Sequence, residues 1–462
     1  MYLEETTTPH DFGAMGDGVS NDSVAISRAC QSFEPCGGEL VLMDREYAMG
    51  DNALYLTYPI SIRGEGASSS ALNPSFLSPS NNAIALNFSP TVAATLTSYS
   101  GFAIHNPVTG RHAGNHGFCA RTETAGQNLA KLTIKDVIVG RGTGANSRAV
   151  HHVNNVTANV NGGMYGAFFQ NNVFVGGIML EGSGDSNAIQ NNIITGDGLG
   201  VHVSLVAGAS LTEIIGNNIT TQRGAIRIDA GSRSRIIGNN IENLAAGAAA
   251  YNDSAVINIT GSNGTVYGGV ISENLVSAFG AADATTLIKV ANTRGLVIEN
   301  NTLLTGAAGV TTGIHIAADC MDTRVGANGF SAGMAIRVVD NGIGTMGVVK
   351  TPALQNGWVA FLSSHATFSV IKSIDGIVHV YGTIKAGITA NGTTVTLLPR
   401  GFRPVSILRV PIMVVNAGMP QLAEMTVTPE GDVAINFVLS SDRVEFNFSF
   451  PAANLANSIS LE

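Results

Sequence analysis

Short apolar segments separated by polar positions run through residues 150–340, and one phrase, usually two adjacent amides between apolar residues, recurs among them. The segments are rich in β-branched residues and show no helical periodicity, and the copies begin 17–34 residues apart. Such repeats are typical of a solenoid, here an all-β parallel β-helix in which each copy is one coil. The copies are Asn154–Asn155, Asn171–Asn172, Asn191–Asn192, Asn217–Asn218, Asn239–Asn240, Glu273–Asn274 and Asn300–Asn301, with a weaker one at 325–330.

The amide pairs are predicted to form corners of the coils. Asparagine tolerates the left-handed backbone angles that a corner requires. Stacked copies can also hydrogen-bond to one another along the solenoid, which satisfies polar groups that would otherwise be buried without partners. We therefore expect an asparagine ladder beside the apolar core, with loops of varying length between corners.

Short alternating strands lie between the amide pairs, and every second residue in them must face solvent. When the coils are aligned, the outward positions form two adjacent stripes. The first stripe holds Met179, His202, Arg227, Asn258, Lys289, His315 and Arg337. The second holds Glu181, Ser204, Asp229 and Thr260. The sequence thus predicts a polar face that extends over several coils.

The composition fits a large β-rich protein and argues against two kinds of partner. The chain has 462 residues, of which 45% are hydrophobic and 12% are charged. Its net charge of −9 argues against a nucleic-acid-binding surface, which needs a basic patch. No apolar run reaches the ~18 residues of a membrane-spanning helix. The N-terminus has no basic region followed by an apolar stretch, so neither membrane insertion nor a secretory signal peptide is expected.

Metal and disulfide chemistry are not indicated. The four cysteines, at positions 30, 36, 119 and 320, are sparse and lack the paired spacing of a metal site, so we expect reduced, buried thiols. His112, His116 and Cys119 lie close together in a glycine-rich stretch, but no fourth ligand is near. Solvated loop residues are therefore favoured over a zinc site. The sequence predicts no metal and no cofactor.

Near the N-terminus, residues 10–22 precede apolar residues at helical spacing over 23–33, and one of residues 21–23 is placed to cap that helix. The phrase at 11–22 resembles the opening "DFGAxGDGxxxD, then AI" signature of the pectate-lyase-like parallel β-helix superfamily, which includes bacteriophage tailspikes and polysaccharide depolymerases. The resemblance implies a right-handed, single-stranded solenoid whose end is closed by the helix. Its carboxylates are interpreted as turn and capping residues rather than catalysts: Asp11, Asp17 and Asp22.

The repeat ends near Asp340, and from Trp358 onward alternating strands separated by tight turns predict an antiparallel β-sandwich. Within it Leu397–Pro404 resembles the "LPxGFRP" turn of C-terminal modules in phage tail fibres and spikes. The two resemblances together imply a homotrimer. The predicted domains are an N-terminal cap with a short helix at 1–36, the parallel β-helix with the binding and catalytic face at 37–345, and a C-terminal sandwich for trimerisation or glycan binding at 346–462.

A long polar face suits an extended polymer, and the resemblance implies a bacterial surface polysaccharide such as capsule, exopolysaccharide or O-antigen. The residues expected to bind it are His202, Arg227, Asn258, Lys289, His315 and Arg337. Glycoside hydrolysis requires two carboxylates, one protonated and one ionised. Glu181 and Asp229 lie two coils apart in one column, about 9.6 Å at the backbone, near the separation of an inverting pair. Asp185 and Asp197, in neighbouring loops, are the alternative carboxylates.

Two other functions stay open. β-Elimination on a uronate needs a base and a cation that neutralises the developing enolate, and His202, Arg227 and Lys289 can fill these roles. A non-catalytic receptor-binding spike is the other, although a pure glycan binder would need more aromatic residues than the 6% of this chain. The chain lacks the Asn-Thr-Asp, Gly-Asp-Asp and Gly-His-Gly motifs of polygalacturonases, so the catalytic residues of that family cannot be transferred.

The sequence as a whole is interpreted as a trimeric phage tailspike that binds and depolymerises host polysaccharide, with hydrolysis favoured over elimination. Such a protein belongs to the virion and acts at the host cell surface. No obvious particle-anchoring segment precedes His10, so truncation, or attachment to the phage tail through an adaptor protein, is expected. A free-standing secreted lyase or epimerase is disfavoured by the missing signal peptide and by the fibre-like C-terminal module.

Overall fold

The chain forms two compact units that consist mainly of β-strands. The first contains residues 1–293, 299–315 and 327–339, and the second contains residues 294–298, 316–326 and 340–462. Two short helices lie near the N-terminus, the 3-10 helix Pro9–Phe12 and the α-helix Ser23–Gln31. The computed structural model describes residues 6–34, 36–50, 54–66, 71–74, 84–88, 94–104, 116–122, 128–140, 148–154, 163–196, 199–205, 210–244, 252–279, 285–306, 310–437 and 442–453.

Parallel strands stack on three faces of the first unit. Face 1 comprises Thr6–Thr7, Gly38–Leu42, Ile60–Gly64, Ala94–Thr95, Ser98–Ser100, Asn128–Ala130, Thr133–Lys135, Gly163–Tyr165, Phe168–Gln170, Ser210–Ile215, Arg235–Ile237 and Val270–Ser272. Face 2 comprises Asp17–Asn21, Glu46–Gly50, Ala71–Pro74, Ala103–Ile104, Ile138–Val139, Val173–Val175, Ile193–Gly196, Asn218–Thr221, Asn240–Asn243, Leu275–Ala278, Thr302–Thr305 and Gly329–Phe330. Face 3 comprises Leu54–Leu56, Ile84–Phe88, His116–Thr122, Arg148–Asn154, Val201–Leu205, Ile226–Ile228, Ala255–Ile259, Thr286–Val290, Thr312–Ile316 and Ile336–Asp340.

One long strand, Gly177–Gln190, belongs to two faces. Its first half pairs with Val201–Leu205 on face 3, and its second half pairs with Ser210–Ile215 on face 1. Alternation places apolar side chains in the core, as in Ile226–Ile228, where both isoleucines are fully buried and Arg227 points outward. The predicted parallel β-helix is therefore confirmed. Short strands also occur at Val266–Tyr267 and Thr293–Arg294.

A ladder of buried asparagines follows the corner between faces 1 and 2. At each step the side-chain amide of one rung donates to the side-chain oxygen of the next rung, at 2.9–3.0 Å. The backbone N–H of the same residue donates to that oxygen at 2.9–3.1 Å. The ladder therefore satisfies the polar groups of a corner that excludes water. Its rungs are Asn172, Asn192, Asn217, Asn239, Asn274, Asn301 and Asn328.

The residue before a rung makes the turn of the corner. From Asn172 to Asn301 this residue has a left-handed φ between +55° and +66°. The residues are Asn171, Asn191, Gly216, Gly238, Glu273 and Asn300. The predicted ladder is confirmed from Asn171–Asn172 onward, with a different residue of the amide pair as the rung in some coils. The rung is the second amide of the pair at Asn171–Asn172 but the first at Asn217–Asn218, because glycine takes the left-handed position in that coil. The first predicted corner is wrong, because Asn154 ends the face 3 strand Arg148–Asn154, and Asn155 lies outside the described residues.

The N-terminal carboxylates organise turns, as the sequence predicts. Asp22 begins the helix Ser23–Gln31, but its carboxylate accepts the backbone N–H groups of Met15 and Gly16 at 2.8 and 3.2 Å rather than capping the helix. Asp17 in the same way accepts the N–H groups two and three residues ahead, at 2.9 and 2.7 Å. These bonds fix the loop that leads into the helix, so the signature residues have a structural explanation.

Antiparallel strands form one nine-stranded sheet in the described part of the second unit. Trp358, Phe368 and Phe402 are among its buried core residues. In the predicted turn at Leu397–Pro404, the Phe402 ring enters this core and Arg403 Nε donates to the Leu398 carbonyl at 3.1 Å. The strands are Val349–Lys350, Val359–Ala360, Ser369–Lys372, Ile377–Lys385, Thr393–Leu397, Leu408–Asn416, Met419–Val427, Asp432–Asn436 and Arg443–Pro451. The predicted fold class is confirmed, whereas the domain bounds and roles stay predictions.

The four cysteines differ in exposure, and therefore in the expected reactivity of their thiols. None of them forms a disulfide, and three are buried, but Cys36 is exposed, which corrects the expectation that all four are buried. Burial raises the pKa of Cys30 to about 12, with a smaller contribution from Glu34. We expect one thiol of the native protein to react rapidly with Ellman's reagent and all four to react after denaturation. The variant Cys36→Ser should lose the rapid phase, and a rapid phase that persists would contradict this assignment.

Candidate active site

Face 3 carries a row of residues that stack in register from coil to coil. The register aligns His151, Met179, His202, Arg227, Asn258 and Lys289 in this order. We call these six residues the polar row. Adjacent coils rise by about 4.8 Å, so the row runs along the solenoid with one residue per coil. The stripe predicted from the sequence therefore exists from Met179 to Lys289, and His151 extends it by one coil. At the other end His315 continues the stripe beside Lys289, because the N–H of Thr312 donates to the Thr285 carbonyl.

Asp229 joins three other polar side chains on this face. It directly follows the strand Ile226–Ile228, and its side chain is only 7% exposed. One carboxylate oxygen lies 2.7 Å from His202 Nε2, and the other accepts Arg227 Nε at 2.7 Å. Thr260 Oγ1 donates to that second oxygen at 2.9 Å. The two stripes predicted from sequence therefore meet at Asp229.

These contacts set the ionisation of the cluster. Burial tends to raise the pKa of Asp229, but the hydrogen bond from His202 and the charge of Arg227 outweigh it and hold the pKa well below its ordinary range. Asp229 is therefore ionised at neutral pH. A carboxylate that holds Nε2 of an imidazole fixes the ring and leaves Nδ1 for proton exchange with a substrate. His202 thus has the orientation of a general base.

A second imidazole–carboxylate pair lies two coils away. His151 Nε2 is 3.0 Å from Glu181 Oε1, and the two side chains are 14% and 29% exposed. Burial tends to raise the pKa of Glu181, but the His151 hydrogen bond and the fields of neighbouring histidines outweigh it, so this pKa is also lowered. Side chains alternate along the strand Arg148–Asn154, so His151 and His152 lie on opposite faces of the sheet. Register with Met179, itself in the predicted stripe, identifies His151 as the outward residue.

His152 points into the core and is completely buried. Burial lowers the pKa of His152 from 6.5 to about 4. The unfolded chain would bind a proton near pH 6.5, whereas the folded protein resists protonation down to about pH 4. The stability that depends on a neutral ring is therefore present above pH 6.5 and is lost as the pH falls toward 4.

Acidification from pH 7 to pH 5 is accordingly expected to destabilise the protein by about 2 kcal/mol through His152 alone. The variant His152→Leu cannot take up this proton, so its thermal midpoint should fall less between the two pH values. Unfolding of both proteins, followed by circular dichroism at pH 7 and pH 5, measures the difference. Equal falls in the two midpoints would show that another group controls acid stability.

Among the predicted binding residues further along face 3, Asn258 is placed differently from the expectation. Asn258 is fully buried, and its side-chain amide donates to Asn252 O at 3.2 Å and to Asp253 Oδ2 at 3.1 Å. Its side chain therefore shapes the coil, which corrects the expectation that it faces solvent. Lys289 Nζ lies 3.5 Å from the carbonyl of Asp253. Burial and the nearby charge of Lys289 lower the pKa of His315, on the following strand.

Two predicted residues are not brought into the cluster. Asp185 lies in the second half of the long strand and is aligned with Tyr165 and Ser210 on face 1, because the chain has already turned the corner there. The N–H of Ile336 donates to the Thr311 carbonyl, so Arg337 stacks beside Gly313 rather than beside His315. Asp197 lies outside the described residues. The expectations for Asp185 and Arg337 are thus corrected by the chain turn and by the strand register.

The described residues contain no group of three or more His, Cys, Asp or Glu side chains arranged to hold a metal ion. His112, from the cysteine–histidine stretch considered above, lies outside those residues. No helix in the described ranges is long and apolar enough to cross a membrane.

The fold of this chain is similar to that of several solved structures. No protein-family model and no curated protein matches the chain. Among solved structures, the A-module of mannuronan C-5 epimerase AlgE4 from Azotobacter vinelandii has a TM-score of 0.54 and 18% identity, covering 74% of this chain and 99% of that one. The protein has the parallel β-helix fold. Other parallel β-helix proteins similar to it include the Streptococcus pneumoniae surface adhesin PfbA, with a TM-score of 0.53 and 15% identity over 80% of this chain and 98% of that one.

A tailspike is also among these parallel β-helix proteins. The Dettilon tailspike protein has a TM-score of 0.52 and 13% identity, and the match covers 96% of this chain and 93% of the tailspike. The resemblance inferred from the N-terminal signature is confirmed at the level of fold. Since an epimerase, an adhesin and a tailspike share this fold, the reaction must be argued from the side chains of face 3.

Proposed function

We propose that this protein binds and cleaves an acidic bacterial surface polysaccharide, as a phage tailspike does, and that the polar row is the cleavage site. The near-complete mutual coverage with the Dettilon tailspike supports the tailspike part of the proposal. A row of polar side chains on a rigid parallel sheet suits an extended polymer. Assembly as a homotrimer, location in the virion and attachment to the tail through an adaptor belong to the same proposal.

The observation that supports the proposed reaction is the contact between His202 Nε2 and the Asp229 carboxylate, which fixes the imidazole ring. A fixed imidazole beside the cation Arg227 has the components of β-elimination. His202 Nδ1 removes the proton next to the substrate carboxylate, and Arg227 stabilises the enolate charge. The electron pair of the broken C–H bond then forms a C=C bond while the glycosidic C–O bond breaks. The departing oxygen takes up a proton, so each cleavage leaves one unsaturated uronate end.

Hydrolysis by Glu181 and Asp229 is the second candidate. Their positions two coils apart, about 9.6 Å at the backbone, favour an inverting pair. An inverting pair also needs one carboxyl group that stays protonated, with a raised pKa. Contacts with histidine lower the pKa of both groups, and Asp229 has Arg227 as a further partner. We therefore favour elimination over the hydrolysis expected from the sequence.

The test is digestion of surface polysaccharides from a panel of host strains. New reducing ends and the ultraviolet absorbance of an unsaturated uronate are followed together. Both signals are expected to rise in parallel. Reducing ends without absorbance would indicate a hydrolase and overturn the role given to His202, and binding with neither signal would indicate a non-catalytic receptor-binding spike. Light scattering of the purified protein tests the trimer separately.

A further inference from the structure

Two kinds of chemical group on face 3 each occur twice, two coils apart. The pair His151–Glu181 and the pair His202–Asp229 have the same construction, an imidazole Nε2 against a carboxylate one coil further along. His151 and His202 are separated in the row by one residue, Met179. The acid–base unit of the site therefore occurs twice, and the second copy is displaced from the first by two coils.

The permanent cations of the row follow the same two-coil interval. Arg227 and Lys289 are separated in register by Asn258, whose side chain is uncharged and fully buried. Each cation stands three coils beyond one of the histidines, Arg227 beyond His151 and Lys289 beyond His202. The combination of His151 and Arg227 therefore recurs two coils further along the solenoid, as His202 and Lys289.

Two coils correspond to roughly 10 Å along the solenoid. An extended polysaccharide advances by a similar distance over two pyranose residues. A polymer lying along the row would therefore meet equivalent groups at every second sugar. The sugar between two cations would face the coil of Asn258, where the Asp253 carboxylate, 3.9 Å from Arg227 Nη1, disfavours a second acidic sugar. Spacing of this kind discriminates between polymers because a charge that misses its partner loses the interaction and is still desolvated.

We infer that the polar row recognises a polysaccharide that carries one carboxylate on every second sugar, in a disaccharide repeat. This inference rests on the proposed function, since it assumes that the polymer lies along the row. It adds the substrate class, an alternating acidic polymer, which the catalytic cluster alone does not specify. It also assigns the second pair, His151–Glu181, to a sugar two residues away from the one at His202.

Affinity for polymers of known charge spacing tests the inference without requiring cleavage. The probes are hyaluronan, with one uronate per two sugars, gellan, with one per four, and hyaluronan whose carboxylates have been reduced. Binding is measured by calorimetry at low salt, where charge contacts are least screened. We expect hyaluronan to bind about tenfold more tightly than gellan, consistent with one added charge contact, and the reduced polymer to lose this advantage.

Variants show whether the row is responsible. Lys289→Met should remove the preference for hyaluronan over gellan. The matched control Lys135→Met changes an exposed lysine on face 1 and should keep the preference. Equal affinity for the two polymers, binding to neither, or a preference that survives Lys289→Met would overturn the inference. A preference without cleavage of any acidic polymer would instead refute the proposed reaction and leave the inference standing.

Discussion

Replacement of His202 by glutamine is expected to lower the rate of polymer cleavage by about 10²- to 10⁴-fold, the contribution of a positioned acid or base. Glutamine can still donate a hydrogen bond to the Asp229 carboxylate, so the cluster keeps a partner for its buried charge. It cannot take a proton from the substrate. Initial rates of unsaturated-uronate formation measure the loss, and the thermal midpoint verifies that the variant is folded.

A matched control uses a histidine far from the cluster in sequence. His379 is exposed in the second unit, where its Nδ1 lies 2.7 Å from Ser449 Oγ, and His379→Gln should cleave at the wild-type rate. A folded His202→Gln variant that keeps more than about a tenth of wild-type activity would reject His202 as the base. Since binding of the polymer does not require proton transfer, affinity should change much less than the rate.

Glu181→Gln distinguishes the two cleavage mechanisms. If Glu181 and Asp229 are the carboxylate pair of a hydrolase, this variant should lose nearly all activity. If His202 removes a proton, Glu181 serves only the neighbouring pair with His151, and the variant should retain most of its rate. The result therefore distinguishes hydrolysis from β-elimination, although Asp229 is essential in both mechanisms.

Replacement of Asn217 by alanine is expected to lower the free energy of unfolding by at least about 3 kcal/mol. The Asn217 side chain accepts the backbone N–H and the side-chain amide of Asn192, both at 2.9 Å, and donates to the Ile189 carbonyl at 2.9 Å. Alanine leaves these buried groups without partners, and each such loss costs about 1–3 kcal/mol. Denaturant or thermal unfolding measures the change.

The adjacent amide provides the control for this prediction. Asn218 has an exposed side chain, so Asn218→Ala should change the free energy of unfolding by no more than about 0.5 kcal/mol. The two variants alter the same residue type at neighbouring positions of one repeat. Similar losses in both would mean that the ladder contributes little to stability and that general strand preference explains the asparagines.

Local sequence patterns predicted the solenoid and much of its polar face. Alternation in segments such as Ile226–Ile228 specifies which side chain points outward, because a strand has a two-residue period. Aligning the coils on the recurring amides then brought His202, Arg227 and Asp229 to adjacent positions. The contact between the imidazole of His202 and the carboxylate of Asp229 follows from that placement, although its distance does not.

The errors arise where structure depends on more than the local period. Asp185 lies on another face because the strand Gly177–Gln190 crosses a corner without interruption, which the pattern does not reveal. Arg337 is displaced because register in the last coils is set by backbone bonds between distant residues. Asn258 has the outward position that strand alternation predicts, but residues of its own coil cover it. The directions in which the carboxylate pKa values shift depend on contacts between coils.

Because of the asparagine ladder, the length of the solenoid along its axis does not depend on the number of residues in each coil. Successive rungs are 20, 25, 22, 35, 27 and 27 residues apart in sequence, yet each step is joined by the same hydrogen bonds. A coil can therefore acquire residues between its rungs without shifting its neighbours, whereas gain or loss of a whole coil changes the number of positions along face 3. Evolution can thus vary loop content and groove length separately, by insertions within a turn and by duplication or deletion of complete turns.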